Sequence, residues 1–198
     1  MFNGKDSNGN IRPVKISNSG IFPSKLANQR YNGNSYSAVA NQYITASSVG
    51  IMSIYNTSGN NKKVYIYNID VQISADLATG GDSYLSIWTL NANPTSGTTV
   101  TANKLQIING DSSTHSCSIK HNVPNGTFTT VNKLFVNYLA FSSSSTDIDE
   151  NYVLNLYDEM IELPAGKGIV LKLTNSSGSG LNYFVTVKFL EVDDTVEM

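Results

Sequence analysis

The sequence predicts an all-β protein, a jelly-roll-like antiparallel β-sandwich that carries an extended N-terminal arm. Three observations predict it. Apolar and polar residues alternate with a period of two along eight to ten short runs. Clusters of Gly, Asn, Ser and Pro separate those runs at turn-like spacing. Polarity is supplied by Asn, Ser and Thr rather than by charge: only 14% of the 198 residues are charged and the formal net charge is −2, against a usual charged share of ~25%. Small polar side chains compete for backbone hydrogen bonds and oppose long helices. Eight strands in two packed sheets fit a jelly roll, and a barrel or an immunoglobulin-like sandwich is the competing layout.

The elements follow in chain order. Residues 1–34 are rich in Gly and Asn and read as an arm or hairpin that docks on a neighbour, with Pro13 restricting "IRPVKIS" to an edge or non-sheet position. Residues 35–198 form the sandwich domain. Its first strands are "YSAVANQYITAS" (36–47) and "IMSIYN" (51–56), and the loop "NTSGNNKK" leads into "VYIYNIDVQIS" (64–74). There, Tyr65, Tyr67, Ile69, Val71 and Ile73 are expected on one face and Asn68, Asp70 and Gln72 on the other. Gly80-Gly81 mark a turn before "SYLSIWTLN" (83–91), in which Trp88 is in phase with Tyr84, Ser86 and Leu90. A β-rich stretch at 98–108 ends at the turn "NGD" and is followed by "STHSCSIKHNV" (113–123). The segment 132–141 has mixed helical and strand periodicity and is assigned as strand. "STDIDEN" (145–151) reads as an acidic loop. "YVLNLY" (152–157) and "EMIELPAGKG" (159–168) come next, the latter a hairpin-like corner at Pro164, Gly166 and Gly168. Two alternating runs, "IVLKLTN" (169–175) and "NYFVTVKFLEV" (182–192), close the domain.

Composition excludes several functions. A near-neutral chain with scattered Lys and Arg lacks the basic face a nucleic-acid binder needs. No apolar run reaches the ~18 residues of a membrane span, and the opening "MFNGKDSNGN" has no signal-peptide pattern. Cys117 is the only cysteine, so no intrachain disulfide forms. His115, Cys117 and His121 would share one face of a strand, but two histidines and one cysteine are too few for a closed zinc site, and no metal or other cofactor is expected. No phosphate loop, dinucleotide fingerprint or nucleophile elbow occurs. Asp158 and Glu159 are the only carboxylates singled out for a hydrolase reading. Aromatic residues are the remaining candidates: Trp88 and Tyr84, with Asp147 and Asp149 from the acidic segment, would make a sugar-binding platform.

The segment "GKDSNGNIRPVKISNSG" (4–20) resembles the amino-terminal segment of tailed-bacteriophage virion proteins, through Gly4, Asp6, Gly9, Pro13, Val14, Ile16 and Gly20. "IYNTSGNNKKVYIYNIDVQIS", "IELPAGKGIVLKL" and "NYFVTVKFLEV" resemble β-sandwich proteins of phage heads and tails. The resemblance implies a non-enzymatic structural component of the virion, a capsid-decoration or tail protein, assembled in the host cytoplasm. It implies other virion proteins as partners and a homo-oligomer, with a trimer among the forms expected. Gly4, Asp6, Gly9, Arg12, Pro13, Val14 and Ile16 are the expected anchoring residues, and a carbohydrate-binding receptor-recognition module is the alternative.

Overall fold

A computed structural model of the chain describes residues 3–5, 11–13, 35–45, 47–57, 59, 61–76, 82–105, 115–140, 147–156, 160–176 and 180–193. Strands β1 (Asn3–Lys5) and β2 (Ile11–Pro13) form a hairpin of their own. They are followed by β3 (Ser35–Ile44), β4 (Ser48–Asn56), β5 (Lys62–Asp76) and β6 (Asp82–Leu90). Four short pieces come next: β7 (Thr98–Thr99), β8 (Asn103–Lys104), β9 (Cys117–His121) and β10 (Val123–Pro124). The chain closes with β11 (Thr130–Ala140), β12 (Asp147–Asn155), β13 (Ile161–Leu163), β14 (Gly168–Thr174) and β15 (Leu181–Asp193). No helix occurs among the described residues.

The pairing of the eight long strands is that of a jelly roll. The first pairs with the eighth (β3 with β15), the second with the seventh (β4 with β14), the third with the sixth (β5 with β12) and the fourth with the fifth (β6 with β11). A single long hairpin of this kind, rolled up, brings β15 beside β5 and β14 beside β6. The result is one sheet of order β12-β5-β15-β3 and a second of order β11-β6-β14-β4, all pairs antiparallel. The first sheet is called the front sheet below, the second the back sheet.

One face of each sheet meets the other in a single apolar core. Ile69, Val71, Ile73, Val185, Val187 and Phe189 come from the front sheet, and Ile54, Leu85, Ile87, Ile169, Leu171 and Leu173 from the back. The alternation that predicted these strands is the alternation that fills this layer.

A β-bulge breaks that alternation in β5. Lys188 faces Asn68 but Phe189 faces Ile66, so Tyr67 is an extra residue on β5. A one-residue shift exchanges the two faces of a strand. Val64 and Ile66 therefore join Ile69, Val71 and Ile73 in the main core, while Tyr65 and Tyr67 pack outward with Leu190, Val192 and Met160 in a second apolar cluster. The single five-residue face expected for this strand is corrected accordingly. The Tyr67 hydroxyl is held by Ser35 Oγ at 2.8 Å, which satisfies its polar end in that buried position.

Other differences have equally local causes. The stretch 98–108 is not one strand. β7 pairs with β9 on the back sheet and β8 with β3 on the front, and residues 106–108 lie outside the described residues. Between them Val100 and Ala102 are buried, so the segment crosses from one sheet to the other and closes that side of the sandwich. Asp147 to Asn151 are strand rather than acidic loop, because β12 pairs with β5 from Asn68 to Asp76. Residues 132–140 of the segment at 132–141 are strand, and their mixed periodicity comes from two register shifts against β6; residue 141 lies outside the described residues. The "ELPAGKG" corner is not a hairpin, since β13 pairs with β5 in the front sheet and β14 enters the back sheet.

The packing predicts a sharp contrast in stability. Leu171→Ala, at 0% exposure, costs about 2–5 kcal/mol, and Val39→Ala, at 43% exposure, stays within about 0.5 kcal/mol, both measured by urea denaturation.

Candidate functional site

The outer face of the front sheet carries the candidate site. On this face, register places residues side by side in rungs across β5, β15 and β3. One rung is Gln72, Phe184 and Asn41; the next is Ser74, Asn182 and Tyr43. Phe184 and Tyr43 are thus diagonal neighbours, each flanked by amide side chains. Diagonal positions on adjacent strands lie within reach of aromatic side chains. Both rings are open to solvent, at 44% and 55% exposure. Together with Gln42 and Tyr183, these six residues line a shallow dent of about 400 Å³. Gly180 leaves room for the Tyr43 ring: a Cβ there would overlap the Tyr43 hydroxyl and ring.

The local reason for this face is in the strand sequences. Tyr183, Val185 and Val187 of β15 point inward and are buried, which sends Asn182 and Phe184 outward. Ala40 and Ile44 of β3 point inward, which sends Asn41 and Tyr43 outward. Small Ala38 and Ala40 lie on the inner face of β3, and toward its other end Tyr36 stacks on Phe189 at 5.4 Å between ring centroids.

The residues that sequence reasoning singled out fall elsewhere, with one exception. Trp88 and Tyr84 are on β6 in the back sheet, while Asp147 and Asp149 are on β12 in the front sheet, opposite Asp76 and Ser74. They do not form one platform. Trp88 is half-buried, donates its Nε1–H to Ser86 Oγ at 2.9 Å, and has Lys133 Nζ 4.9 Å from its ring centroid. Asp149 is the exception: its register position continues the rung of Ser74, Asn182 and Tyr43. Of the anchoring residues, Gly4, Arg12 and Pro13 are on the β1–β2 hairpin, with Gly4 opposite Arg12. Asp6, Gly9, Val14 and Ile16 lie outside the described residues, as do Asp158 and Glu159.

His115, Cys117 and His121 do turn to one side of β9, but each is engaged by the protein. His115 accepts the Ala102 N–H at Nε2 (3.1 Å) and faces the Cys117 carbonyl with Nδ1 (3.1 Å), which fixes the neutral Nδ1–H tautomer. His121 Nδ1 contacts the Tyr183 hydroxyl at 3.2 Å. Cys117 Sγ donates to Glu191 Oε1 at 3.2 Å. Burial and then the Glu191 carboxylate push the thiol well above its ordinary range, so it is a thiol and not a nucleophile. Glu191 is itself buried; it also accepts the Ser116 N–H at 2.8 Å and has Lys62 Nζ at 3.7 Å from its other oxygen. This carboxylate fastens the start of β9 to β15. No group of three metal-ligating side chains gathers among the described residues.

Asn56 organises the end of the sandwich opposite the dent. Its side-chain amide donates to the carbonyls of Lys62 (2.7 Å) and Leu163 (2.9 Å). Its backbone donates to Lys167 O (2.9 Å) and accepts from Gly166 N–H (2.8 Å). Gly166 has φ of 78°, the left-handed conformation that favours glycine, in the turn closed by Lys167 N–H on Pro164 O. The "YNTSG" and "LPAGKG" segments, far apart in sequence, are therefore one hydrogen-bonded unit.

No family model matches the chain, and no curated protein matches it. No helix among the described residues is long and apolar enough to cross a membrane.

Two outcomes follow from these environments. Burial lowers the His121 pKa from its ordinary value near 6.5. The unfolded chain therefore takes up this proton first as pH falls. The His121 contribution to stability is complete above pH ~6.5, declines below it, and levels off once the folded-state pKa is passed. Melting curves between pH 7.5 and 5 are expected to show a smaller drop for His121→Gln than for the native protein. Cys117 is expected to react with a thiol reagent such as Ellman's only after unfolding, because the native site is 7% exposed and its thiolate is disfavoured.

Proposed function

We propose that this protein is a non-enzymatic structural component of a bacteriophage particle, a capsid-decoration or tail protein, that self-associates and is anchored through residues 1–34. The observation that carries the self-association is the uneven treatment of the sheet edges. On one side, the segment bearing β7 to β10 covers β3 and β4. On the other, β11 and β12 are terminal strands among the described residues, and they expose Val131, Leu134, Val136 and Val153. An exposed apolar edge strand is a template for association with another chain, and symmetric copies can satisfy it.

The rest of the molecule supports a scaffold role. The jelly roll is a fold used in viral capsids, and its interior here is filled by side chains. The β1–β2 hairpin pairs with neither sheet, as expected of an arm that makes its contact elsewhere. A second contact linked to the first raises avidity without new chemistry. The resemblance of residues 4–20 to virion amino-terminal segments supports the same reading. The ionisable groups that could have suggested catalysis, Cys117, His115 and Glu191, are occupied in holding strands together.

The full chain is expected to have a solution mass that is a multiple of the monomer by light scattering. Leu134→Lys with Val136→Lys reduces it to the monomer while leaving the melting temperature nearly unchanged, since both positions are exposed. A chain starting at residue 35 is expected to fold but not to be incorporated into particles. A monomeric native protein, or normal incorporation of the shortened one, refutes the corresponding half of the proposal.

A further inference from the structure

We infer that the outer face of the front sheet is a binding site for neutral carbohydrate, centred on Tyr43 and Phe184. This inference stands on the dent itself and does not depend on the particle role. Five features carry it.

The first is the placement of the aromatics. Apolar rings belong on the inner phase of a half-buried strand, yet Tyr43 and Phe184 occupy the outer phase, where their neighbours are polar. Flat aromatic faces pack against the apolar C–H faces of sugar rings, and Tyr adds a hydroxyl at its edge. The second is the polar complement. Asn41, Gln72 and Asn182 offer amides, and Ser74 a hydroxyl, beside these rings. An amide both donates and accepts, as a sugar hydroxyl does. Among the described residues, no hydrogen bond holds the side chains of Asn41, Gln72 or Asn182 to the protein, so their capacity is available to a ligand.

The third feature is charge. None of the eight lining residues is a Lys, Arg, His, Asp or Glu, so the dent offers nothing to pair with an anionic ligand. Asp70 is on the adjoining rung and Asp149 continues the rung of Ser74. The Asp70 carboxylate at the margin accepts hydrogen bonds from hydroxyls and repels sialylated, sulfated or phosphorylated sugars. The fourth is size. A dent of about 400 Å³ is at the small end of ligand sites. Its eight lining residues are well short of the 20–30 residues a side that a stable protein–protein interface uses. The fifth is support: Gly180 leaves the space that the Tyr43 ring fills, and two central strands, β5 and β15, carry five of the eight residues. A site built on paired strands is held in place before the ligand arrives.

The test uses the full-length protein, a panel of neutral and acidic oligosaccharides on a glycan array, and saturation-transfer NMR with any neutral sugar that binds. The native protein is expected to bind one or more neutral oligosaccharides and not their sialylated or sulfated counterparts. Tyr43→Ala and Phe184→Ala each weaken binding by at least about tenfold, with unchanged circular dichroism, because both side chains are solvent-exposed. Trp88→Ala in the back sheet leaves binding unaltered. Absence of binding to every neutral sugar at millimolar concentration overturns the inference. So does binding that survives both aromatic substitutions, or a fall in oligomer mass on Phe184→Ala, which would assign this face to a second copy of the chain.

Discussion

Two sheets share one dry interior only if every long strand keeps its apolar side inward along its whole length. That constraint governs this molecule more than any individual contact. The strands are long, up to 15 residues in β5, and twisted sheets do not stay in phase over such distances without adjustment. The adjustment is the bulge. Tyr67 is the extra residue in β5, Ile51 fills the same role where β4 slips against β14, and β11 shifts twice against β6. Each bulge gives up regular pairing at one residue and in return keeps the next apolar residues in the core. In β5 the displaced residues, Tyr65 and Tyr67, are large enough to start a second cluster on the far face with Leu190 and Val192.

Closing the sandwich at its sides is a separate problem, solved differently on the two sides. Next to β3 and β4, a chain segment with little regular structure crosses between the sheets and buries Val100 and Ala102. His115 secures it by accepting the Ala102 N–H. Next to β11 and β12, Phe135 and Tyr152 meet across the gap with ring centroids 5.3 Å apart. The second solution seals the core but leaves β11 and β12 as terminal strands among the described residues, and the proposed association of copies follows from that difference. At the end of the sandwich, the fully buried Asn56 donates to carbonyls from β5 and β13, and leaving a buried polar group without its partner typically costs about 1–3 kcal/mol.

Chemistry and architecture are divided between the two surfaces of the front sheet. Groups that could react sit inside and are consumed by structure: the Cys117 thiol donates to Glu191, and Tyr183 is pushed up to about 12 by burial while contacting His121. Groups that can recognise without reacting sit outside, where amides surround two aromatic rings. The same β15 supplies both, because Tyr183 and Phe184 are consecutive and a strand sends consecutive side chains to opposite faces. The proposed sugar site on one face and the proposed association of copies at an edge call on no catalytic group.

Much of the architecture was legible in the sequence. Period-two alternation identified β3, β5, β6, β14 and β15, since burial on one face imposes that period directly. The abundance of Asn and Ser argued against helices, and none occurs among the described residues. One signal of the candidate site was also present, Tyr43 in "NQYI" and Phe184 in "NYFV", aromatics on the polar phase of their strands. What the sequence by itself did not determine was everything that depends on register. The bulge at Tyr67 is invisible locally because it is defined by the partner strand, and it reverses the faces of Tyr65 and Tyr67. Asp147 and Asp149 looked like a loop until β5 supplied nine paired positions for β12. Trp88 and the aspartates belong to different sheets, and Gln72, Asn182 and Tyr43 become neighbours only when β5, β15 and β3 align. Sequence sets the alternation of side chains along an unbroken strand; only tertiary pairing decides where a bulge reverses it and which side chains stand next to one another.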